Sequence, residues 1–194
     1  MAVDPTSGDV YLPEDAAGPN GLFYRWQAPP QLRPDRPGAL RTLSPTAGTH
    51  AAMSCTDGAG AHVDDLSRAT EIDTSYAVRW VQIPDRDART TSTRNQLGDH
   101  EITRGHQLEG CWWGNNGTYV ISSFARAETP IQHDGQIWFF DPHRRRSLCG
   151  CGSGSTPALA RTARWTGRTT SASRLRWSVS GRGWSRCTAP VRRH

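Results

Sequence analysis

Hydrophobic and polar residues alternate in several short runs along the first 142 residues of the chain. Residues 8–15 and 21–26 form one pair of runs, and residues 117–124 and 135–142 form a second pair. Each run begins at a glycine and is rich in β-branched and aromatic residues, and a polar loop separates the two runs of each pair. This pattern is typical of an antiparallel hairpin. We therefore predict two hairpins, one near each end of this region.

Longer polar stretches separate the two predicted hairpins. Residues 76–84 alternate well and end at a proline, which predicts a further strand. Residues 28–37 are proline-rich and predict an extended loop, whereas residues 85–93 are charged and predict a solvated connection. Hairpins separated by long excursions are found in β-propellers and in β-sandwiches. The pattern predicts an all-β fold and leaves these two architectures open.

The charge distribution divides the chain near Asp141. Up to that residue there are 11 Arg and 18 acidic residues, a net charge of −7. From Pro142 onward there are 12 Arg and no acidic residue, a net charge of +12. The overall value of +5 therefore describes neither part. We predict two regions, residues 1–146 and residues 147–194.

The second region has the composition of an unstructured segment. Of its 48 residues, 42 are Ser, Thr, Arg, Gly, Ala, Pro, Trp or Cys, and the apolar residues follow neither a strand nor a helix period. GC-rich DNA read out of frame yields this mixture, and we hypothesise that the frame is lost at residues 146–149. The competing interpretation is a basic tail that binds nucleic acid. Because no recognition motif accompanies the arginines, we expect no specific nucleic-acid partner.

The cysteines and the length of the apolar runs restrict the class of protein further. The five cysteines are odd in number and irregularly spaced, which argues against a disulfide framework. No run is apolar for long enough to cross a bilayer, so we expect no membrane partner. The first residues lack the basic and apolar segments of a signal peptide, so we expect the chain to remain cytoplasmic. Nothing in the sequence indicates an oligomeric state.

Three blocks carry a resemblance to a known family. Residues 3–15 resemble a segment of PhoX-type alkaline phosphatases in which a strand ends in acidic residues beside the metal site. Residues 108–114, Leu-Glu-Gly-Cys-Trp-Trp-Gly, together with residues 134–138, Asp-Gly-Gln-Ile-Trp, are similar to the family's Glu-Gly-x-Trp-x-Gly and Gly-Gln-x-Trp block. Residues 163–173, read in a shifted frame, resemble the block that follows. The order of the blocks matches the family's order.

The resemblance implies a partial β-propeller with blades missing at both ends. It also implies hydrolysis of phosphate monoesters at a site that holds calcium and iron, and export of the family through the twin-arginine route. Hard cations prefer carboxylate oxygens, and bound to them they stabilise the charge of a reacting phosphoryl group. A chain that holds only part of the propeller is expected to hydrolyse little or no substrate alone. The alternative is a non-catalytic, propeller-like binding module that uses its loops to contact another protein.

Four residues are the candidate site. Glu109 is the expected metal ligand, because the Glu-Gly pair before an aromatic strand is the family's own context. Glu14 and Asp15 are expected to be further metal ligands at a strand end. Gln107 is the expected substrate-binding residue, since the family often has an arginine two residues before the glutamate. A guanidinium can bind phosphate with two parallel hydrogen bonds, whereas a neutral amide cannot.

Overall fold

A computed structural model describes residues 1–32, 34–69, 73–126, 134–143 and 148–152. They belong to one compact unit, Met1–Gly154, and a second unit, Ser155–His194, lies outside the described residues. Within the described part there are strands and three short 3-10 helices but no α-helix, which confirms the predicted all-β class. No helix there is long and apolar enough to cross a membrane.

The longest connections between the strands are residues 28–48 and 83–103. The 3-10 helices are Ala39–Thr42, Leu66–Arg68 and Thr93–Asn95. The strands are β1 (Ala2–Val3), β2 (Val10–Pro13), β3 (Gly21–Gln27), β4 (Thr49–Thr56), β5 (His62–Val63), β6 (Thr74–Gln82), β7 (Arg104–Gly105), β8 (Leu108–Gly114), β9 (Gly117–Arg126), β10 (Asp134–Phe140) and β11 (Leu148–Gly152).

These strands form two antiparallel sheets. The first sheet has the order β1-β2-β3-β4-β6, and the second has the order β8-β9-β10-β11. Strand β6 joins the two, because Tyr76 is paired with Leu148 of β11 while Ala77 is paired with Thr56 of β4. The short strand β5 pairs with the end of β4, and the short strand β7 pairs with the start of β3. Each sheet is thus a meander in which strands close in sequence are neighbours.

Both predicted hairpins are confirmed. Strands β2 and β3 pair antiparallel, and so do β9 and β10. The sequence pattern does not predict β4, because this strand is central in its sheet and residues 51–55 are all buried. A strand buried on both faces has no alternation of polar and apolar residues.

The main core lies between the two sheets and is largely aromatic. Tyr11 and Phe23 of the first sheet are about 1% exposed, and so is Trp138 of the second. The Tyr11 ring contacts rings of the second sheet, with centroid distances of 6.1 Å to Trp113 and 5.6 Å to Phe140. Each large aromatic side chain buried in this way stabilises the fold by about 2–3 kcal/mol before entropic costs.

The outer faces of the two sheets differ. Residues 83–103, which we call the excursion, fold back over the first sheet, where Ile83 and Ile102 pack against Leu22 and Tyr24. The outer face of the second sheet keeps apolar side chains exposed. These are Trp112, Ile121 and Ile137, at 73%, 36% and 41% exposure.

The described structure continues past the predicted boundary at residue 146. Strand β11 lies within the region predicted to be an unstructured tail, and it pairs with both β10 and β6. The sequence does not predict this strand, because Leu-Cys-Gly-Cys-Gly contains one large apolar residue. Residues 153–194, including the segment with the shifted-frame resemblance, lie outside the described residues.

Candidate functional site

Two of the predicted site segments adjoin at one end of the sheets. The backbone N–H of Gln107 donates a hydrogen bond of 3.0 Å to the carbonyl oxygen of Ala16. Ala16 is buried, and the exposed Asp15 immediately precedes it. The turn into β8 and the end of β2 are therefore neighbours in space, although about 90 residues separate them in the chain.

Gln107 is held in an uncommon backbone conformation. Its φ of 42° lies in the left-handed region, which costs a non-glycine residue about 1 kcal/mol or more. The chain turns here from β7 into β8, and hydrogen bonds on both sides of Gln107 stabilise the turn. Its N–H is bound to Ala16, and its carbonyl oxygen accepts a bond of 3.1 Å from the N–H of Ser123. The position of this residue is thus determined by β9 as well as by β2.

Glu109 lies two residues further along, in β8. The pairing of β8 with β9 shifts register between Leu108 and Cys111, so Glu109 lies in a bulge. Its side chain is exposed, and its Oε1 accepts a hydrogen bond of 2.7 Å from the hydroxyl of Ser123. The same hydroxyl oxygen is 3.4 Å from Oε1 of Gln107. The structure thus places Gln107 and Glu109 around one serine.

Glu14 is engaged elsewhere. Its Oε1 accepts a hydrogen bond of 2.9 Å from Nε of Arg94, and Nη2 of the same guanidinium lies 2.6 Å from Oε1 as an ion pair. Its Oε2 accepts from the hydroxyl of Tyr24 at 2.9 Å and from the N–H of Leu22 at 3.3 Å. These donors come from β3 and the excursion. Because both oxygens of this carboxylate are already hydrogen-bonded, Glu14 does not fit a metal ligand in this arrangement.

The donor set for a cation is therefore small. Asp15 and Glu109 have exposed carboxylates, and Gln107 has an amide oxygen. In the part of the chain that the structure describes, no group of three or more His, Cys, Asp or Glu side chains is arranged to hold a metal ion. Calcium takes about six to eight oxygen ligands, so these residues fit part of a calcium site at most.

A histidine and a carboxylate that the sequence reasoning did not assign lie beside this turn. Nε2 of His106 is 3.3 Å from Oδ2 of Asp65, and both side chains are less than a fifth exposed. Asp65 also caps the 3-10 helix at Leu66–Arg68, since it accepts bonds from the N–H and the hydroxyl of Ser67. The buried hydroxyl of Ser122 donates to the carbonyl oxygen of His106 at 2.6 Å.

Ser122 and Ser123 are the residues of this region that the sequence reasoning missed. Successive residues of a strand point to opposite faces, so one serine is buried against His106 while the next contacts Glu109. The pairing of Leu108 with Ser122 brings both hydroxyls to the turn. The two serines can be recognised as neighbours of Gln107 and Glu109 only once the pairing of β8 with β9 is known.

Comparison with known proteins adds no family to this description. No protein-family model, no curated protein and no solved structure matches the chain.

Proposed function

We propose that this chain is part of a metal-dependent phosphatase of the PhoX type, which hydrolyses phosphate monoesters, and that the chain alone turns over little or no substrate. The hydrogen bond between Gln107 and Ala16 is the observation that carries this proposal. It links the residue that follows the first resembling segment, 3–15, to the residue that precedes the second, 108–114, about 90 residues further along the chain. The proposal rests on this proximity together with the resemblance of the two segments.

We infer that the two sheets are two blades of a propeller. A blade is a four-stranded antiparallel meander, and blades pack face to face around an axis. Two observations support this inference. The sheets are sequential meanders that bury an aromatic core between them. The second sheet also exposes Trp112, Ile121 and Ile137 on its outer face, as expected of a blade that lacks its neighbour.

The proposed cation site uses Asp15 and Glu109. Both carboxylates are exposed at the end of the sheets where β2 meets the turn into β8. Calcium and iron, when bound, would neutralise charge that develops on the phosphoryl group. Two carboxylates are too few to hold these ions tightly, which is the reason for the low turnover that we expect. Glu14 has no part in this proposal, because Arg94 occupies its carboxylate.

Gln107 is the proposed contact for a phosphoryl oxygen. Its side-chain amide offers N–H donors without a positive charge. Hydrogen bonds from a charged guanidinium to phosphate are roughly twice as strong as those from a neutral group. A site built around Gln107 is therefore expected to bind phosphate weakly.

Calcium titration of the full chain tests the proposal. We expect weak binding, with a dissociation constant on the order of the millimolar values of weak calcium sites. Glu109→Gln is expected to lose this binding, whereas the control Asp87→Asn removes an exposed charge from the excursion and is expected to keep it. p-Nitrophenyl phosphate is expected to be hydrolysed near the background rate.

Three outcomes would contradict the proposal. Equal calcium binding by the original chain and Glu109→Gln would remove Glu109 from the site. No calcium binding by the original chain would favour the alternative, a non-catalytic binding module. Turnover of p-nitrophenyl phosphate by the chain alone at the rate of a complete enzyme would show that the site is not partial.

A further inference from the structure

The hydroxyl of Ser123 lies between two proposed site residues, Gln107 and Glu109. It is 2.7 Å from Oε1 of Glu109 and 3.4 Å from Oε1 of Gln107. A hydroxyl has a single hydrogen to donate. The carboxylate of Glu109 is both the nearer and the stronger of the two acceptors. The hydroxyl therefore donates to Glu109.

The contact with Gln107 follows from this assignment. The hydroxyl oxygen still has lone pairs, and the oxygen and nitrogen of a glutamine amide can exchange places by a half-turn. With the amide turned so that Nε2 faces Ser123, Gln107 donates to the hydroxyl and the hydroxyl donates to Glu109. The three side chains then form one directional chain of hydrogen bonds.

Backbone hydrogen bonds place Ser123 beside this arrangement. Its N–H donates to the carbonyl oxygen of Gln107 at 3.1 Å, while the preceding Ser122 donates from its hydroxyl to His106. Two successive residues of β9 thus bind His106, Gln107 and Glu109 through backbone and side chain. These bonds place the Ser123 hydroxyl 2.7 Å from Oε1 of Glu109.

We propose that Ser123 is a positioning residue that holds Glu109 and Gln107 as a single unit. It orients the Glu109 carboxylate through Oε1, which leaves Oε2 for a cation, and it orients the Gln107 amide beside it. Residues that orient a metal ligand typically change metal affinity by about tenfold or more when they are removed. The identity of the ligand rests on the proposed function, whereas the positioning itself does not.

The positioning is tested by NMR on the full chain. Three-bond couplings of the Glu109 side chain report whether χ1 occupies one rotamer or averages over several. We expect a single rotamer in the original chain and in Ser123→Thr, which keeps the hydroxyl, and averaging in Ser123→Ala. The matched control is Ser92→Ala, because Ser92 is exposed and its side chain makes no capping bond. A single Glu109 rotamer in Ser123→Ala would overturn the proposal.

Calcium titration of the same variants separates this proposal from the proposed function. We expect Ser123→Ala to weaken calcium binding about tenfold and Ser123→Thr to remain within about twofold of the original chain. If Glu109 is fixed by Ser123 but no variant binds calcium, positioning stands and the metal-dependent function fails. If calcium binds with equal affinity in Ser123→Ala and requires Glu109, the function stands and the positioning role fails.

Discussion

The guanidinium of Arg94 holds the carboxylate of Glu14 with a hydrogen bond of 2.9 Å from Nε and an ion-pair contact of 2.6 Å from Nη2, across 80 residues of sequence. Arg94 belongs to the excursion and Glu14 follows β2, so the ion pair fastens the excursion to the first sheet. The carbonyl oxygen of Arg94 also accepts a bond from Arg104, which pairs with Asp99 at 2.6 Å. Glu14, which the sequence predicts to be a metal ligand, thus has Arg94, Tyr24 and Leu22 as its partners in this structure.

The Glu14–Arg94 pair is expected to stabilise the fold measurably. The two side chains are 19% and 37% exposed, which lies between surface and buried pairs. A double-mutant cycle with Glu14→Gln and Arg94→Gln is expected to give a coupling energy of about 1 kcal/mol in urea unfolding. Glu14→Gln is also expected to leave the calcium affinity of the chain unchanged.

The Arg68–Asp64 pair is the control for this cycle. Its side chains are 70% and 40% exposed, so its coupling energy is expected to stay below about 0.5 kcal/mol. Equal coupling energies for the two pairs would refute the anchoring role of Glu14.

Thr103 is expected to be among the most sensitive polar positions. It is 1% exposed, and its hydroxyl donates to the carbonyl oxygen of Val63 at 2.6 Å and accepts from the N–H of Cys55 at 2.7 Å. Thr103→Val keeps the shape but leaves two buried backbone groups without this partner, so we expect a loss of about 2 kcal/mol or more in the free energy of unfolding. Thr103→Ser keeps the hydroxyl and is expected to lose less than half as much.

Stability is expected to fall at alkaline pH. Burial raises the pKa of the Cys55 thiol from 9.0 to about 12, and it raises the pKa of Cys111 to about 11. Between pH 9 and 11 the unfolded chain has lost these protons while the folded chain still holds them. The unfolded state is therefore favoured as the pH rises, by about 1.4 kcal/mol per pH unit for Cys55.

Urea midpoints measured between pH 8 and 10.5 test this slope. Cys55→Ala removes one of the two raised thiols and is expected to flatten the alkaline loss, although its stability at pH 8 is lower because of the cavity. An unchanged slope in this variant would show that the Cys55 thiol does not cause the alkaline loss.

Arg86 is expected to affect the stability of the fold and the pKa of His50 in ways that different substitutions can separate. Its guanidinium donates to the carbonyl oxygens of residues 45–48, with distances of 2.9 Å to Ala47 and 3.2 Å to Thr46. Burial and, secondarily, the charge of Arg86 lower the pKa of His50. Arg86→Lys keeps the charge but loses the fork of donors, so we expect a loss of about 1 kcal/mol or more in the free energy of unfolding with little change in the His50 pKa.

Arg86→Gln separates the two effects. Without the charge, the pKa of His50 is expected to rise toward 6.5 in an NMR titration. In the original chain the unfolded state binds a proton at His50 more readily than the folded state, so stability falls as the pH drops through 6.5. This acid-side loss is expected to be smaller in Arg86→Gln. A fall in the His50 pKa would contradict the electrostatic contribution of Arg86.

The sequence alone determined the local features of this protein. Alternating residues and turn glycines identify the β2–β3 and β9–β10 hairpins, because such pairs are built from neighbours in the chain. The alternation of polar and apolar residues does not identify β4, because this strand is buried on both faces. The acidic end of β2 and the Glu-Gly turn were also visible as candidate site segments.

Only the tertiary structure decided how those segments combine. Ala16 meets Gln107, and Ser123 contacts Glu109, because strand pairing brings together residues that are distant in the chain. Glu14 and Asp15 are adjacent in sequence and equally acidic, yet one is bound by Arg94 and the other is exposed. A carboxylate's role depends on the groups around it, and those groups are supplied by the folded chain.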